Sequence, residues 1–295
     1  MKIRNSLVDT LIQEEDPFPG LFDFLIGVIW SPQDSLEEFY AQEKKMTDLE
    51  RFLTRTYDEF FTEVLPSRCS QVQDIFIKTP AIYLDSLSLR EGILLRETLS
   101  KEGYQAKLSY AFSAVPSVTT AYKTKINLKE LKKSHKYVEI KDLSSYKIDG
   151  DEGLIWSSFP DALFESLASG KTVLDSIENA YKRVEKLALD LVEKLDHDTI
   201  YLRSDHGYVR HQAAYSLSID IGIKQIREAF GGGRYVPETE AGELNQELHQ
   251  FIVQANEHYL AKSQYVWPVA GKYQTFQHGG VSLMECLTPV LEVRK

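Results

Sequence analysis

The stretch Thr199-Ile200-Tyr201-Leu202-Arg203-Ser204-Asp205-His206-Gly207-Tyr208 decides how the rest of the chain is read. Its first half is short and β-rich. It then steps into polar residues and sets a carboxylate and an imidazole side by side, before a glycine that frees the backbone to turn. In an α/β sheet functional side chains collect where strands finish, because the loops there face a crevice while the strand bodies stay buried. An Asp-His pair suits a divalent cation, both side chains being ordinary zinc ligands. Asp and His also cap turns for purely local reasons, so Asp205-His206 gains meaning only from similar strand ends elsewhere.

Working outward, Val173, Ile177, Ala180, Val184, Leu187, Leu191 and Leu195 repeat at three- and four-residue steps and predict the helix that delivers the chain into this strand. Leu154-Ile155-Trp156 reads as an earlier strand, followed by Ser157 to Glu165. Earlier still, Ile75-Phe76-Ile77 and Ala81-Ile82-Tyr83-Leu84 are apolar strands, the second ending at Asp85, with an amphipathic helix from Ser86 to Leu99. Gln105 to Phe112 is a strand whose polar loop, Ser113 to Thr120, enters a helix from Ala121 to Ile126. Residues Leu128 to Ile148 are charged and irregular, a surface excursion with short strands. This alternation argues for an α/β fold: a mostly parallel central sheet with helices on both faces.

Downstream the pattern predicts helices around Ile219 to Phe230 and Glu240 to Tyr259, a short strand in Gln264 to Val269, and a closing strand at Pro289 to Val293. Gly231-Gly232-Gly233 lacks the GxGxxG spacing and follows a helix, so it reads as a flexible hinge. Gln277-His278-Gly279-Gly280 is a second His-Gly turn. Residues 1–74 read as helices and loops, with a helical run from Ser35 to Val64 whose apolar face packs as core. The organisation expected is a helical N-terminal segment, 1–74, and a main domain, 75–295.

With 44 acidic and 34 basic residues among 295, the formal charge is −10, which argues against duplex nucleic acid or an anionic membrane as the main partner. Cys69 and Cys286 form no CxxC and read as reduced and structural. The apolar run Leu21 to Trp30 is interrupted by Asp23 and falls short of the roughly 20 residues a bilayer needs. A cytoplasmic location is expected.

The strand ends in order are Asp85, Pro116-Ser117-Val118-Thr119, Asp161, Asp205-His206-Gly207 and His278-Gly279-Gly280. Through "YLDSLSLRE", "VPSVTT", "FPDALFE", "YLRSDHGY" and "HGGVSLMECLTPV" the chain resembles the alkaline phosphatase superfamily, and more closely its PglZ domain branch, over roughly residues 75 to 295. The resemblance implies a phosphoesterase with two divalent cations, zinc first, manganese or magnesium as alternatives. It sets Asp85, Thr119, Asp205 and His206 around one cation and Asp161 and His278 around the other. Thr119 is the implied nucleophile, activated by coordination because a free hydroxyl is too weakly acidic to attack at neutral pH. Thr120 is its competitor, or a backbone N–H donor to phosphate. Where many relatives have Asp-x-x-x-His, this chain has Asp161 and Glu165, so Glu165 is a candidate ligand that adds negative charge. No Cys or Ser stands in the C/S-x-P-x-R pattern of sulfatases.

Arg234 and Lys272 lead the candidates for gripping substrate phosphate. The partner implied is a phosphoester, a nucleotide or small signalling molecule, cleaved as a diester. The alternative is a non-catalytic PglZ module within a phage-defence or signalling assembly. Under either reading the N-terminal helices are a candidate docking element for protein partners.

Overall fold

Ala81-Ile82-Tyr83-Leu84 and Leu154-Ile155-Trp156-Ser157 are buried at every position, as strands covered on both faces must be. The computed structural model describes Leu7, Thr10, Leu11 and residues 14–71, 80–169, 176–210, 215–216, 221–267 and 276–295. The expected strand Ile75-Phe76-Ile77 lies outside the described residues.

The central sheet is built from β1 (Ala81–Leu84), β2 (Gln105–Phe112), β3 (Tyr137–Ile140), β4 (Leu154–Ser157), β5 (Thr199–Arg203) and a closing strand, Leu287–Arg294. Their order across the sheet is β2, closing strand, β5, β1, β4, β3. Pairing is parallel between β5 and β1, β1 and β4, and β4 and β3. The closing strand runs antiparallel to both its neighbours, β2 and β5. One consequence places the site. A strand of reversed direction begins at the edge where the others end, so the loop before Leu287 arrives at the carbonyl ends of β1, β2, β4 and β5.

Period-two alternation sends Ala81 and Tyr83 of β1, with Leu154 and Trp156 of β4, to one face, where they pack with Tyr122, Ile126 and Leu128. Tyr83 and Trp156 are opposite each other in register and stack at 4.8 Å. Helix Leu89–Lys101 packs on β2 and the closing strand, and helix Ile177–Lys194 packs against it in turn. The latter opens on Ser176, whose side chain accepts from Asn179 N–H at 3.3 Å.

Leu128 to Ile148, expected as an irregular excursion with short strands, opens instead with helix Leu128–Ser134, continues as the edge strand β3 and is irregular over 141–148. The helix expected at Glu240 to Tyr259 is replaced by a 3-10 turn, Gln246–Gln250, and a hairpin of Ile252–Ala255 with His258–Ala261, which Tyr235–Pro237 joins as a third strand. Asn256 and Glu257 both have positive φ, 49° and 62°, and so form the tight reversal that matches strand twist. The three glycines at 231–233 end helix Ile221–Phe230 in a turn, Gly231 and Gly232 having φ of 57° and 90°.

The chain divides into two compact units, Met1–Leu49 and Glu50–Lys295. The first contains helices Phe18–Phe24 and Leu36–Ala41 and a wider π-helical turn, Leu25–Ile29. Trp30 and Phe39 meet there at 5.5 Å. Among the described residues no helix is long and apolar enough to cross a membrane.

Candidate metal centre and active site

Five segments meet at the carbonyl edge of the sheet. Asp85 follows β1, Asp205 and His206 follow β5, Asp161 opens helix Asp161–Ser169 just after β4, and Thr119 opens helix Thr119–Lys125 after β2. His278 arrives from the loop ahead of the closing strand. Asp161 N–H donates to the Asp85 carbonyl at 3.1 Å, which ties two of these segments together through the backbone.

Asp85, Asp205 and His206 bring one ligand atom each within 4.8 Å of one another, and all three residues are buried. The Thr119 hydroxyl lies among them, 3.0 Å from Asp85 Oδ1 and 3.1 Å from His206 Nε2. His206 Nε2 is 3.6 Å from Asp85 Oδ1 and 3.6 Å from Asp205 Oδ2. Oxygen and nitrogen donors at about 2.0–2.2 Å around a tetrahedral ion stand about 3.3–3.6 Å apart, so this spacing fits a cation of zinc's size.

The hydrogen bonds around the cluster orient its donors. His206 Nδ1 is 3.0 Å from the Gly207 carbonyl, which accepts its proton and leaves the Nε2 lone pair facing Asp85, Asp205 and Thr119. Asp205 Oδ1 accepts from Ser86 N–H at 3.1 Å and His206 N–H at 3.0 Å, whereas its buried Oδ2 has no hydrogen-bond partner. An orphaned, fully buried carboxylate oxygen is costly unless a cation meets it. Ser86 adopts a left-handed φ of 66° to deliver its N–H.

The second half of the site is looser. His278 Nδ1 is 3.2 Å from the Ser117 carbonyl, which likewise turns Nε2 outward, 3.7 Å from Asp161 Oδ1. The His206 and His278 rings stack at 4.1 Å, so the two halves adjoin. Glu165 lies one helical turn beyond Asp161 but is exposed and does not join the close cluster.

Burial pushes the Asp85 carboxyl up to about 8, with the charge of Asp205 adding to it. Asp161 is pushed up to about 6, again chiefly by burial. Burial alone would lower His206, but Asp205, Asp85 and Asp161 together outweigh it and hold the imidazole above its ordinary value. His278 moves down, through burial and then repulsion from His206. The shifts of Asp85, Asp161 and His206 reflect a dry site crowded with carboxylates, with no lysine or arginine ion pair to any of the three aspartates among the described residues.

One expectation changes. Arg234 does not face the crevice: it is buried, its guanidinium bound to both oxygens of Glu285 at 2.8 Å and to the carbonyls of Ser263 and Tyr265. With its donors committed inside the protein it cannot grip a substrate. Glu285 in turn accepts from Gly280 N–H at 2.9 Å, so the pair anchors the turn that carries His278. Sequence reasoning missed Glu285 and also Glu50, whose carboxylate accepts from Leu283 N–H at 3.0 Å and from the Ser263 hydroxyl at 2.8 Å. Ser117 is buried and clips this turn: its hydroxyl donates to the Gly280 carbonyl and accepts from Gly279 N–H, both at 2.9 Å. Thr120 sits beside Thr119 with its side chain exposed. Lys272 lies outside the described residues. Gly207 is required by contact, since a Cβ there would meet the Met284 carbonyl oxygen at 2.0 Å.

The fold thus gathers acidic and imidazole donors and a hydroxyl at the carbonyl edge of a mostly parallel sheet. Residues 149–293 match the family described as the BREX system PglZ alkaline phosphatase-like domain. Asp85 and Thr119 stand ahead of the matched span. Among solved structures the chain is similar to phosphonoacetate hydrolase from Sinorhizobium meliloti 1021 in complex with phosphonoformate, at 11% identity and a TM-score of 0.37, covering 72% of this chain and 88% of that one. It is also similar to murine ectonucleotide pyrophosphatase/phosphodiesterase 5, an inactive form in complex with AMP, at 10% identity and a TM-score of 0.30, covering 57% of this chain and 62% of that one. No curated protein sequence matches the chain.

Proposed function

We propose that this chain is a metal-dependent phosphoesterase, acting as a phosphodiesterase on a nucleotide or other small phosphoester, with Thr119 as nucleophile. The observation that carries the reading is the Thr119 hydroxyl held at 3.0 Å from Asp85 and 3.1 Å from His206, inside a buried donor cluster. Asp85, Asp205 and His206 would hold one cation, and Asp161 with His278, and Glu165 one turn away, a second. Such cations supply Lewis acidity, lowering the pKa of the hydroxyl and offsetting phosphoryl charge. Zinc suits the mixed oxygen and nitrogen donors; manganese or magnesium suits the carboxylate-rich half.

The protein groups do the positioning. Asp85 accepts the Thr119 hydroxyl hydrogen bond and so fixes the rotamer of the attacking oxygen. As the bond from Thr119 Oγ1 to phosphorus forms, the bond to the leaving ester oxygen breaks in line and that oxygen departs as the alcohol, taking up the proton the threonine gives up; water later cleaves the threonine–phosphorus link and releases the remaining phosphomonoester. Thr120 N–H, in the first helical turn, is a candidate backbone donor to a phosphoryl oxygen.

Hydrolysis of bis(p-nitrophenyl) phosphate with added zinc or manganese, set against the monoester, tests the diesterase assignment. Thr119→Ala is expected to lower turnover by about a thousandfold while metal binding persists. Full turnover in that variant would sink the nucleophile assignment.

One observation favours a second reading, a non-catalytic PglZ module in a multi-protein BREX-type defence assembly: Glu165 is exposed, which leaves Asp161 and His278 as a sparse pair. Metal analysis separates the two. Two cations per chain support the enzyme; none, with no turnover, supports the module.

A further inference from the structure

In a chain of net charge −10, residues 121–141 carry seven lysines against two glutamates. Three of the seven are neutralised: Lys133 by Glu130 at 2.8 Å, Lys141 by Glu139 at 3.3 Å, and Lys136 by Asp149 and Asp151. Lys125 is turned inward, onto the carbonyls of Cys69 at 2.8 Å and Ser113 at 2.9 Å. The other three, Lys123, Lys129 and Lys132, have no carboxylate partner among the described residues. All three line one open pocket of about 470 Å³, together with Thr124, Asn127 and Leu128. Lys132 Nζ lies 3.9 Å from the ring centroid of Tyr137 and Lys123 Nζ 4.5 Å from that of Trp156, so aromatic faces hold two of the ammonium groups in place.

The pocket is rich in hydrogen-bond donors and carries three like charges that repel one another until an anion enters. Ammonium groups bind phosphate oxygens as point charges, without the planar fork a single carboxylate would favour. Its position adds a direction. Lys123 follows Thr119 by four residues on helix Thr119–Lys125, hence on the same face and about 6 Å further along the axis.

We infer that this pocket is an anion subsite for a polyphosphorylated ligand, which offers one phosphoryl group to Thr119 and others further along its chain to Lys123, Lys129 and Lys132. The scissile end of this inference rests on the phosphoesterase reading; the lysine pocket does not. The shared chemistry, a chain of phosphoryl groups, comes either from a compact polyphosphate or from a single-stranded nucleic acid backbone.

The test is titration of the whole chain, in EDTA, with inorganic tripolyphosphate and separately with a short oligothymidylate. Lys129 and Lys132 are exposed, so K129E/K132E is expected to keep the wild-type melting temperature. It is expected to weaken tripolyphosphate binding about tenfold or more per reversed charge, with Lys129→Gln/Lys132→Gln in between. Wild-type affinity is expected to fall steeply with salt. Tighter binding of oligothymidylate than tripolyphosphate, lost in the same variants, assigns the nucleic acid source, and the reverse order assigns the compact one. Equal tripolyphosphate affinity in wild type and K129E/K132E, or wild-type binding no tighter than that of orthophosphate, overturns the subsite. Because metal and turnover are absent from this assay, a chain that binds tripolyphosphate yet never cleaves a diester refutes only the phosphoesterase reading.

Discussion

Ser117 holds the Thr119 loop to the His278 turn with three contacts, two through its hydroxyl and one through its carbonyl. Ser117→Ala leaves the Gly279 N–H unpaired in a buried place and the Gly280 carbonyl with only the weak Cys286 thiol as donor, a loss expected to cost about 1–3 kcal/mol in chemical unfolding. The same change frees the turn that carries His278, so zinc affinity by calorimetry is expected to fall about tenfold, as for other supporting contacts around a metal. An unchanged affinity would mean that His278 is positioned by other contacts. The site residues were legible for a reason that does not extend to Ser117. Asp85, Asp161, Asp205 and His206 each stand where an apolar run stops, and the geometry of an α/β sheet brings such stops together. Whether a serine or an arginine faces the crevice or the interior leaves no trace in composition. Arg234 read as a phosphate grip because its partner Glu285 is 51 positions away and nothing local links them.

The Arg234–Glu285 pair belongs to the scale of elements, since it fastens the segment after helix Ile221–Phe230 to the short helix Leu283–Cys286 and, through Gly280 N–H, to the turn between them. Both side chains are fully buried, so removing one strands the other charge. Arg234→Met is therefore expected to destabilise the fold by about 3–5 kcal/mol in urea unfolding. A loss below 1 kcal/mol would mean that water reaches Glu285. Elements were readable to the extent that period and length fixed them. The short apolar runs of β1, β4 and β5 admit only strands once the long amphipathic helix Ile177–Lys194 is placed between two of them. Strand direction is not written in such runs. The closing strand was recognisable as a strand, but its antiparallel course, which brings His278 to the site, depends on pairing with β2 and β5. The hairpin at Ile252–Ala261 was hidden because its turn uses Asn256 and Glu257 at positive φ, without the glycine that usually marks such a reversal.

At the scale of the whole molecule, stability should depend on pH in a direction set by two buried carboxyls far apart in sequence. Asp85 is held up to about 8, first by burial and then by Asp205, and Glu50 is held up to about 8, first by burial. Unfolding returns both to ordinary carboxylate behaviour. From about pH 5 to pH 8 the folded chain thus keeps two protons that the unfolded chain has released, and stability falls as pH rises through that window. His206, also held up, acts in the same sense, whereas His278, held down, opposes it only at the acid end. Measurement between about pH 6.5 and 8.5 isolates the first three groups. In EDTA the melting temperature is expected to drop across this range, and Glu50→Gln is expected to flatten the drop, because the amide replaces a group that must otherwise ionise in a dry site. Zinc should act oppositely at the crevice, since it competes with protons for Asp85, Asp161 and His206, so the melting temperature it adds should be larger at pH 8 than at pH 6.5. A metal-free melting temperature that rises with pH would show that these carboxyls are ionised in the folded chain, and a zinc increment independent of pH would show that the cation binds elsewhere.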